Sequence, residues 1–223
     1  MSDPETLGTT ASALRPWDAR AARRLVTPLK DTWVTPNHLT TLRLLVGLCA
    51  VGAFLPGTYL WSNIGALLLV LSNFLDHTDG ELARISGKSS RLGHLYDLAA
   101  DAAVTVLTFV AIGIGVAARG VESFLVPPAL LGLAAGCAIA LIFFLRMRIE
   151  DRLGKSGTSQ ASMAGFETED ALYLLPLMTL CDGAAPVLLA ASIIAPLYAI
   201  WVVFGYRRAM QRWHLVAAQS NSG

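Results

Sequence analysis

Apolar positions along this chain gather into long runs separated by short polar segments. They cover residues 39–56, 58–75, 95–118 and 123–145, followed by a longer stretch over 171–206. A bilayer crossing takes about 20 apolar residues in helical form, so each of the first four runs predicts one transmembrane helix and the last is too long for one. Cys181-Asp182-Gly183-Ala184-Ala185-Pro186 divides it, because Asp, Gly and Pro together favour a turn. The pattern therefore predicts six membrane helices, the fifth beginning near Thr168 or lying partly within protein. Upstream, Leu14, Trp17, Ala21 and Leu25 recur at helical spacing beside Arg15, Arg20, Arg23 and Arg24. This predicts an amphipathic helix on the headgroup layer with Pro16 near its first turn, the alternative being a solvated basic arm. The expected architecture is an all-α polytopic membrane protein, with an N-terminal arm over 1–34, a six-helix domain over 35–206 and a C-terminal tail over 207–223.

Composition agrees with the pattern. Hydrophobic side chains make up 54% of the chain and charged ones 15%, against about 25% charged in soluble domains, which argues against a soluble globular enzyme. A net charge of +1 gives no bulk attraction for nucleic acid, and none is expected as a partner. Cys49, Cys137 and Cys181 are far apart with no CxxC pair, so neither a disulfide framework nor a zinc site is indicated. No apolar stretch precedes residue 39, and nothing there resembles a cleaved secretory signal. Lys and Arg are retained on the cytoplasmic side of short loops. With the helices alternating in direction, 16 of the 17 basic residues, Arg43 among those flanking the first helix, fall on one side and only Arg119 on the other. Both termini are expected in the cytoplasm, at the inner membrane if the source is bacterial.

The chemistry is concentrated between the second and third runs, in LDHTDGELARISGKSSRLGHLYDLAAD. Asp76 and Asp79 lie about 60° apart around one helix, and Asp97 and Asp101 about 40° apart around the next, so each pair shares a face. Carboxylates near membrane depth normally face a cavity or a partner. A short connection makes the two helices antiparallel neighbours, and four converging carboxylates repel one another unless cations intervene. Hard oxygen donors without His or Cys at matching spacing favour magnesium, manganese or calcium over zinc, with His77 a solvated neighbour rather than a ligand. Gly80 and Gly93 would let a ligand or another helix approach the backbone closely. Arg84 lies one turn beyond Gly80, where a guanidinium can reach phosphate oxygens bidentately. Acids, metals and an arginine together read as a diphosphate site; the bland alternative is an ion-pair cluster that pins the two helices.

In this segment the chain resembles the CDP-alcohol phosphotransferases. Their signature, D-x2-D-G-x2-A-R-x8-G-x3-D-x3-D, is met in full by Asp76, Asp79, Gly80, Ala83, Arg84, Gly93, Asp97 and Asp101. Eight fixed positions at fixed spacing are far more specific than a lone short motif. Thr35-Pro36-Asn37 before the first helix resembles the family's TPN sequence, Gly87-Lys88-x-Ser90 its inter-helix loop, and six helices its fold. The resemblance implies transfer of a phosphatidyl-type group from a CDP-linked lipid, typically CDP-diacylglycerol, to an alcohol with release of CMP. It implies two divalent ions, Mg2+ or Mn2+, held by Asp76, Asp79 and Asp97, with Asp101 close to them and acting as general base. It further implies that Gly80, Ala83 and Arg84 contact the CDP moiety, Gly93, Asn37 and Ser90 completing that set, and that the protein forms a homodimer. Small residues in Gly132-Leu133-Ala134-Ala135-Gly136 could support such close helix contact.

The acceptor alcohol is less legible. Arg146 and Arg148 resemble a basic R-x-R segment that would bind a phosphorylated acceptor such as glycerol phosphate or inositol phosphate, or they anchor the helix end at the membrane surface. Glu167, Glu169 and Asp170 would bind the hydroxyls or ammonium group of a neutral polyol or amino-alcohol, or they complement a helix dipole with Thr168 as cap. A different class, a divalent-cation or proton-coupled transporter, would place ionisable groups near mid-membrane. The central portions of the first, fourth and sixth helices carry none.

Overall fold

The structure is a computed structural model that describes residues 17–88, 90–120, 125–153 and 175–220. Every regular element among the described residues is helical: α1 (Trp17–Val26), α2 (Pro36–Phe54), α3 (Tyr59–Ser86), α4 (Arg91–Ala118), α5 (Pro128–Leu153), α6 (Leu175–Leu180) and α7 (Ala184–Ser220), with one 3-10 turn at Thr27–Leu29. Among these residues four helices are long and apolar enough to cross a membrane, namely α2, α4, α5 over Pro128–Ile149 and α7 over Ala184–Gln211. Helix α3 is as long as α4, yet Ser62, Asn63, Ser72 and Asn73 interrupt its apolar part and Asp76, Asp79, Glu81 and Arg84 follow. Of the expected fifth membrane helix the described residues hold only α6. Its expected start near Thr168, with Glu167, Glu169 and Asp170, lies outside them.

Helix ends follow local chemistry. Pro36 opens α2 and Pro128 opens α5, a position where a missing N–H removes no helical bond. Because Pro127 and Pro128 stand together, α5 starts later than the apolar run at 123 suggested. The turn expected at residues 181–183 is present, with Asp182 at φ 53° and Gly183 N–H bonded to the Met178 carbonyl at 2.8 Å. Helix α7 continues through Arg207 and Arg208 to Ser220, well beyond the apolar run.

The chain divides into two compact units. The first comprises Met1–Gly47 and Leu68–Ala100, the second Leu48–Leu67 and Asp101–Gly223. In the first, α1 buries Ala22 and Val26 while Leu25 on its next stripe is 58% exposed. The buried positions also include an unusual number of polar side chains: Thr40, Arg43, Ser72, Thr78, Asp79 and Glu81. Such groups persist away from water only when paired, and they build the site described below.

The second unit is held differently. Ala138, Ile142 and Leu145 of α5 pack on Ala195, Ala199 and Val202 of α7, while α5 meets α4 through glycine. A Cβ on Gly132 would fall 2.1 Å from the Phe109 carbonyl oxygen, and one on Gly136 2.8 Å from the Val106 Cα. Gly132 and Gly136 of the small-residue stripe thus serve close packing within the chain. Arg119, the one basic residue assigned to the opposite side, pairs with Asp182 and donates to the Gly57 carbonyl. Outward-facing Leu60, Leu67, Ile194, Leu197 and Trp201 stay exposed, as expected where the solvent is lipid and backbone pairing is satisfied inside each helix.

Candidate active site

Helix α3 runs ten residues past Asp76 before Gly87, at φ 67°, ends it with its N–H on the Ala83 carbonyl at 3.1 Å. Asp76 and Asp79 are thus fixed on rigid helix rather than at its frayed end. Ser90 caps α4: its Oγ accepts the Gly93 N–H at 3.0 Å, the bond an N-cap hydroxyl makes to the first turn. A Cβ on Gly93 would lie 2.7 Å from Asn37 Oδ1 and 3.0 Å from Ser90 Oγ, so Gly93 admits the side chain that opens α2. Asn37, Ser90 and Gly93 are brought together. The connection is fastened further by Lys88 Nζ on the Thr32 carbonyl at 2.8 Å, and α2 meets α4 again where Thr41 Oγ1 and Tyr96 Oη lie 3.1 Å apart.

Asp76, Asp97 and Asp101 each present a carboxylate oxygen, and these oxygens lie within 4.8 Å of one another. Asp101 stands one turn beyond Asp97 on the unbroken α4. Asp79 is outside this trio. It is buried, and its Oδ2 accepts a hydrogen bond from Thr40 Oγ1 at 2.7 Å and lies 3.6 Å from Arg43 Nε.

Arg43 is the residue that sequence reasoning misplaced. Counted with the basic residues that flank the first helix, it lies inside α2 and is 4% exposed. Its Nη1 is 3.1 Å from Asp76 Oδ1, and its Nη2 is 2.5 Å from Asp97 Oδ1 and donates to the Asp97 carbonyl at 3.0 Å. Ser72 Oγ donates to the Arg43 carbonyl at 2.9 Å. The guanidinium so gathers three acids from two other helices. The signal was available, since an ionisable residue within an apolar run has a functional reading by default. Thr40, one turn before Arg43 on the same face, offered no comparable signal.

Gly80 is exposed, and nothing stands within 4 Å of where its Cβ would be. The missing side chain leaves room for a ligand rather than admitting a helix. Ala83 is half-buried on the same helix. Arg84 is 71% exposed and tethered by Nη1 to Oε1 of Glu81 at 2.7 Å, Glu81 itself being buried. One of its five N–H donors is engaged there, and the planar fork keeps others for an anion. Glu81, between the fixed motif positions, is a second residue the sequence reading passed over; its i,i+3 relation to Arg84 was the clue.

Arg146 and Arg148 belong to the second unit and lie within α5, not at its end. Two residues apart on a helix, they point to nearly opposite sides, so one face cannot present both to a single phosphate. The Arg148 guanidinium sits 5.4 Å from the centroid of the Phe144 ring, a cation–π contact on its own helix.

The donor chemistry fits a hard divalent cation. Three carboxylates converge, neither His77 nor His94 belongs to the group, and no sulfur ligand does; oxygen-only sets of this kind suit Mg2+ or Mn2+.

Similarity to known proteins extends over most of the chain. The model of the CDP-alcohol phosphatidyltransferase family matches residues 33–218. Archaetidylinositol phosphate synthase of Pyrococcus horikoshii is 36% identical over 91 residues, covering 40% of this chain and 46% of that protein. Cholinephosphotransferase 1 of Danio rerio is 38% identical over 93 residues, 37% of this chain and 23% of its own. CDP-diacylglycerol–glycerol-3-phosphate 3-phosphatidyltransferase of Cereibacter sphaeroides is 38% identical over 81 residues, 36% and 37% respectively. The chain spans less than half the length of each of these curated relatives.

Proposed function

The chain belongs to the CDP-alcohol phosphatidyltransferase family, and from that premise we propose that it transfers a phosphatidyl-type group from a CDP-linked lipid, CDP-diacylglycerol in the first place, to a small alcohol with release of CMP. The observation that carries this reading is the convergence of Asp76, Asp97 and Asp101 within 4.8 Å, inside a fully met eight-position motif.

In the proposed site Asp76, Asp79 and Asp97 would hold two divalent ions, Mg2+ or Mn2+, with Asp101 beside them. When bound, such ions neutralise charge on phosphoryl oxygens and stabilise a phosphate leaving group. The chain's own residues do the rest. Asp101 accepts the alcohol proton on a carboxylate oxygen as the alcohol oxygen bonds to the lipid-linked phosphorus, and the bond to the CMP oxygen breaks with its electron pair leaving on CMP. An alcohol is a weak nucleophile near neutral pH, and a positioned base contributes about 10²–10⁴-fold. Arg84, held by Glu81, faces the diphosphate with its free N–H groups, and Gly80 leaves space for the nucleotide, with Ala83, Gly93, Asn37 and Ser90 lining the same ligand.

The acceptor we propose is an amino-alcohol or neutral polyol, bound through Glu167, Glu169 and Asp170. The relatives' names include both a choline and a glycerol-3-phosphate enzyme, so the phosphorylated alternative, with Arg146 or Arg148 as the anion partner, stands beside it. A panel of alcohols offered with labelled CDP-diacylglycerol decides. Replacing Glu167 and Glu169 with Gln is expected to raise KM for a polyol or amino-alcohol about 10- to 150-fold, the equivalent of about 1.5–3 kcal/mol for a charge-assisted hydrogen bond, with CDP-lipid affinity unchanged. Turnover only with a phosphorylated acceptor, lost on Arg146→Ala or Arg148→Ala, would replace the acidic-pocket reading.

In the bilayer we place six crossings, α3 and a fifth helix ending in α6 joining the four apolar ones. The arm over 1–34 lies on the cytoplasmic leaflet with α1 amphipathic, both termini are cytoplasmic, and the tail over 207–223 follows the domain over 35–206. If the source is bacterial, the membrane is the inner one. The proposed partners are the CDP-linked lipid, the alcohol, the bilayer and a second copy of the chain.

A further inference from the structure

Arg43 is 4% exposed and touches three of the four motif acids, Asp97 most closely. We propose that Arg43 is the resident cation of the acid site, holding the place among Asp76, Asp79 and Asp97 from which a divalent ion displaces it. The inference rests on the reading of these acids as a divalent-ion site and adds a competitor built into the chain.

Charge and geometry carry it. A guanidinium stays protonated in any protein environment, so Arg43 supplies one permanent positive charge to the three carboxylates it pairs with. Its ion pairs fall on Asp76 and Asp97, and those are two of the three acids whose oxygens converge within 4.8 Å. A divalent ion and Arg43 thus draw on the same two carboxylates, and a cation entering beside a fixed cation is repelled by it. Asp79 points the same way: its Oδ2 is held by Thr40 at 2.7 Å beside Arg43 Nε, apart from the converging trio. The guanidinium also donates to the backbone carbonyl of Asp97 at 3.0 Å, which keeps it beside that carboxylate. The arrangement keeps the acids gathered and neutral enough to fold near the membrane when no ion is bound, and weakens the site's hold on the ion when one is.

The test is direct binding of Mn2+ alone, without substrate, to the purified full-length protein stripped with chelator, read by the electron paramagnetic resonance signal of free Mn2+. Arg43→Gln is expected to lower the Kd for Mn2+ about 10-fold or more by removing one unit charge beside the ion, and to enlarge the rise in Tm that Mn2+ produces. Arg43→Lys keeps the charge without the fork and is expected to stay within about 3-fold of wild type. A guanidinium that merely braced the acids would give the opposite sign, and an unchanged or raised Kd in Arg43→Gln overturns the proposal. Because the neutral variant leaves three acids without this cation and can fail to fold, wild type carries a second arm. With 15N-arginine labelling, the Arg43 Nε–H resonance, assigned by its loss in Arg43→Lys, is expected to shift on addition of Mg2+. A resonance indifferent to saturating Mg2+ overturns the displacement. Absence of any Mn2+ binding to wild type would instead remove the metal reading on which the inference stands.

Discussion

Asp97→Asn is expected to lower the rate of CMP release by about 10²–10³-fold or more, the scale of losing one preorganised charge-stabilising group. Asp97 has two demands on it. It belongs to the converging trio of carboxylates and it takes the shortest ion pair that Arg43 makes, at 2.5 Å. Asparagine preserves its size and removes its charge, so the site loses both a ligand and a counter-ion. Arg43 keeps Asp76 and Asp79 as partners, and the Asp97 side chain is 32% exposed rather than sealed in the core. Folding should therefore survive, with a modest fall in Tm. Initial rates and thermal unfolding measured on the same preparation separate the two effects. A variant within a few-fold of wild type in turnover would remove Asp97 from the reaction centre.

Asp101→Asn should behave differently. One turn along α4 from Asp97, Asp101 is assigned the proton of the acceptor alcohol, and its loss is expected to reduce turnover about 10²–10⁴-fold while CDP-lipid binding stays near wild type. Single-turnover CMP formation and equilibrium binding of the CDP-lipid, measured in parallel, distinguish a base from a ligand. If nucleotide binding falls and no separate chemical defect appears, Asp101 acts chiefly in holding the metal.

That Asp76, Asp97 and Asp101 could approach one another was legible from spacing, because a helix converts sequence separation into direction: residues three or four apart share a face wherever the helix goes. For the same reason the turn at Asp182 and Gly183 was legible. The division of labour among the acids was not, since Asp79 is drawn aside by Thr40 and Arg43 across 39 and 36 residues of chain, and contacts at that range leave no periodic trace. Arg43 was misassigned because a basic residue near the start of an apolar run satisfies the positive-inside rule equally well from a loop or from within the helix, and that reading outweighed its position inside the run. Glycines showed a similar ambiguity. Gly93 and Gly132 admit other parts of the protein, whereas Gly80 opens onto space, and no pattern in the sequence separates these uses. Four of the runs correspond to helices long and apolar enough to cross a membrane, whereas α3 is not among them because its asparagines and serines lower its hydropathy without ending the helix.

The proposed activity is release of CMP from a CDP-linked lipid at the acid site under control of a divalent ion. Its most direct test is the purified full-length protein in detergent or nanodiscs, given labelled CDP-diacylglycerol and an alcohol panel, with CMP followed as Mg2+ or Mn2+ is removed by chelator and restored. CMP formation is expected to depend on an alcohol, to stop on chelation and to return with the ion. Full turnover in chelated buffer would contradict the metal assignment, and ion binding with no CMP from any alcohol would contradict the transferase reading in favour of a carrier.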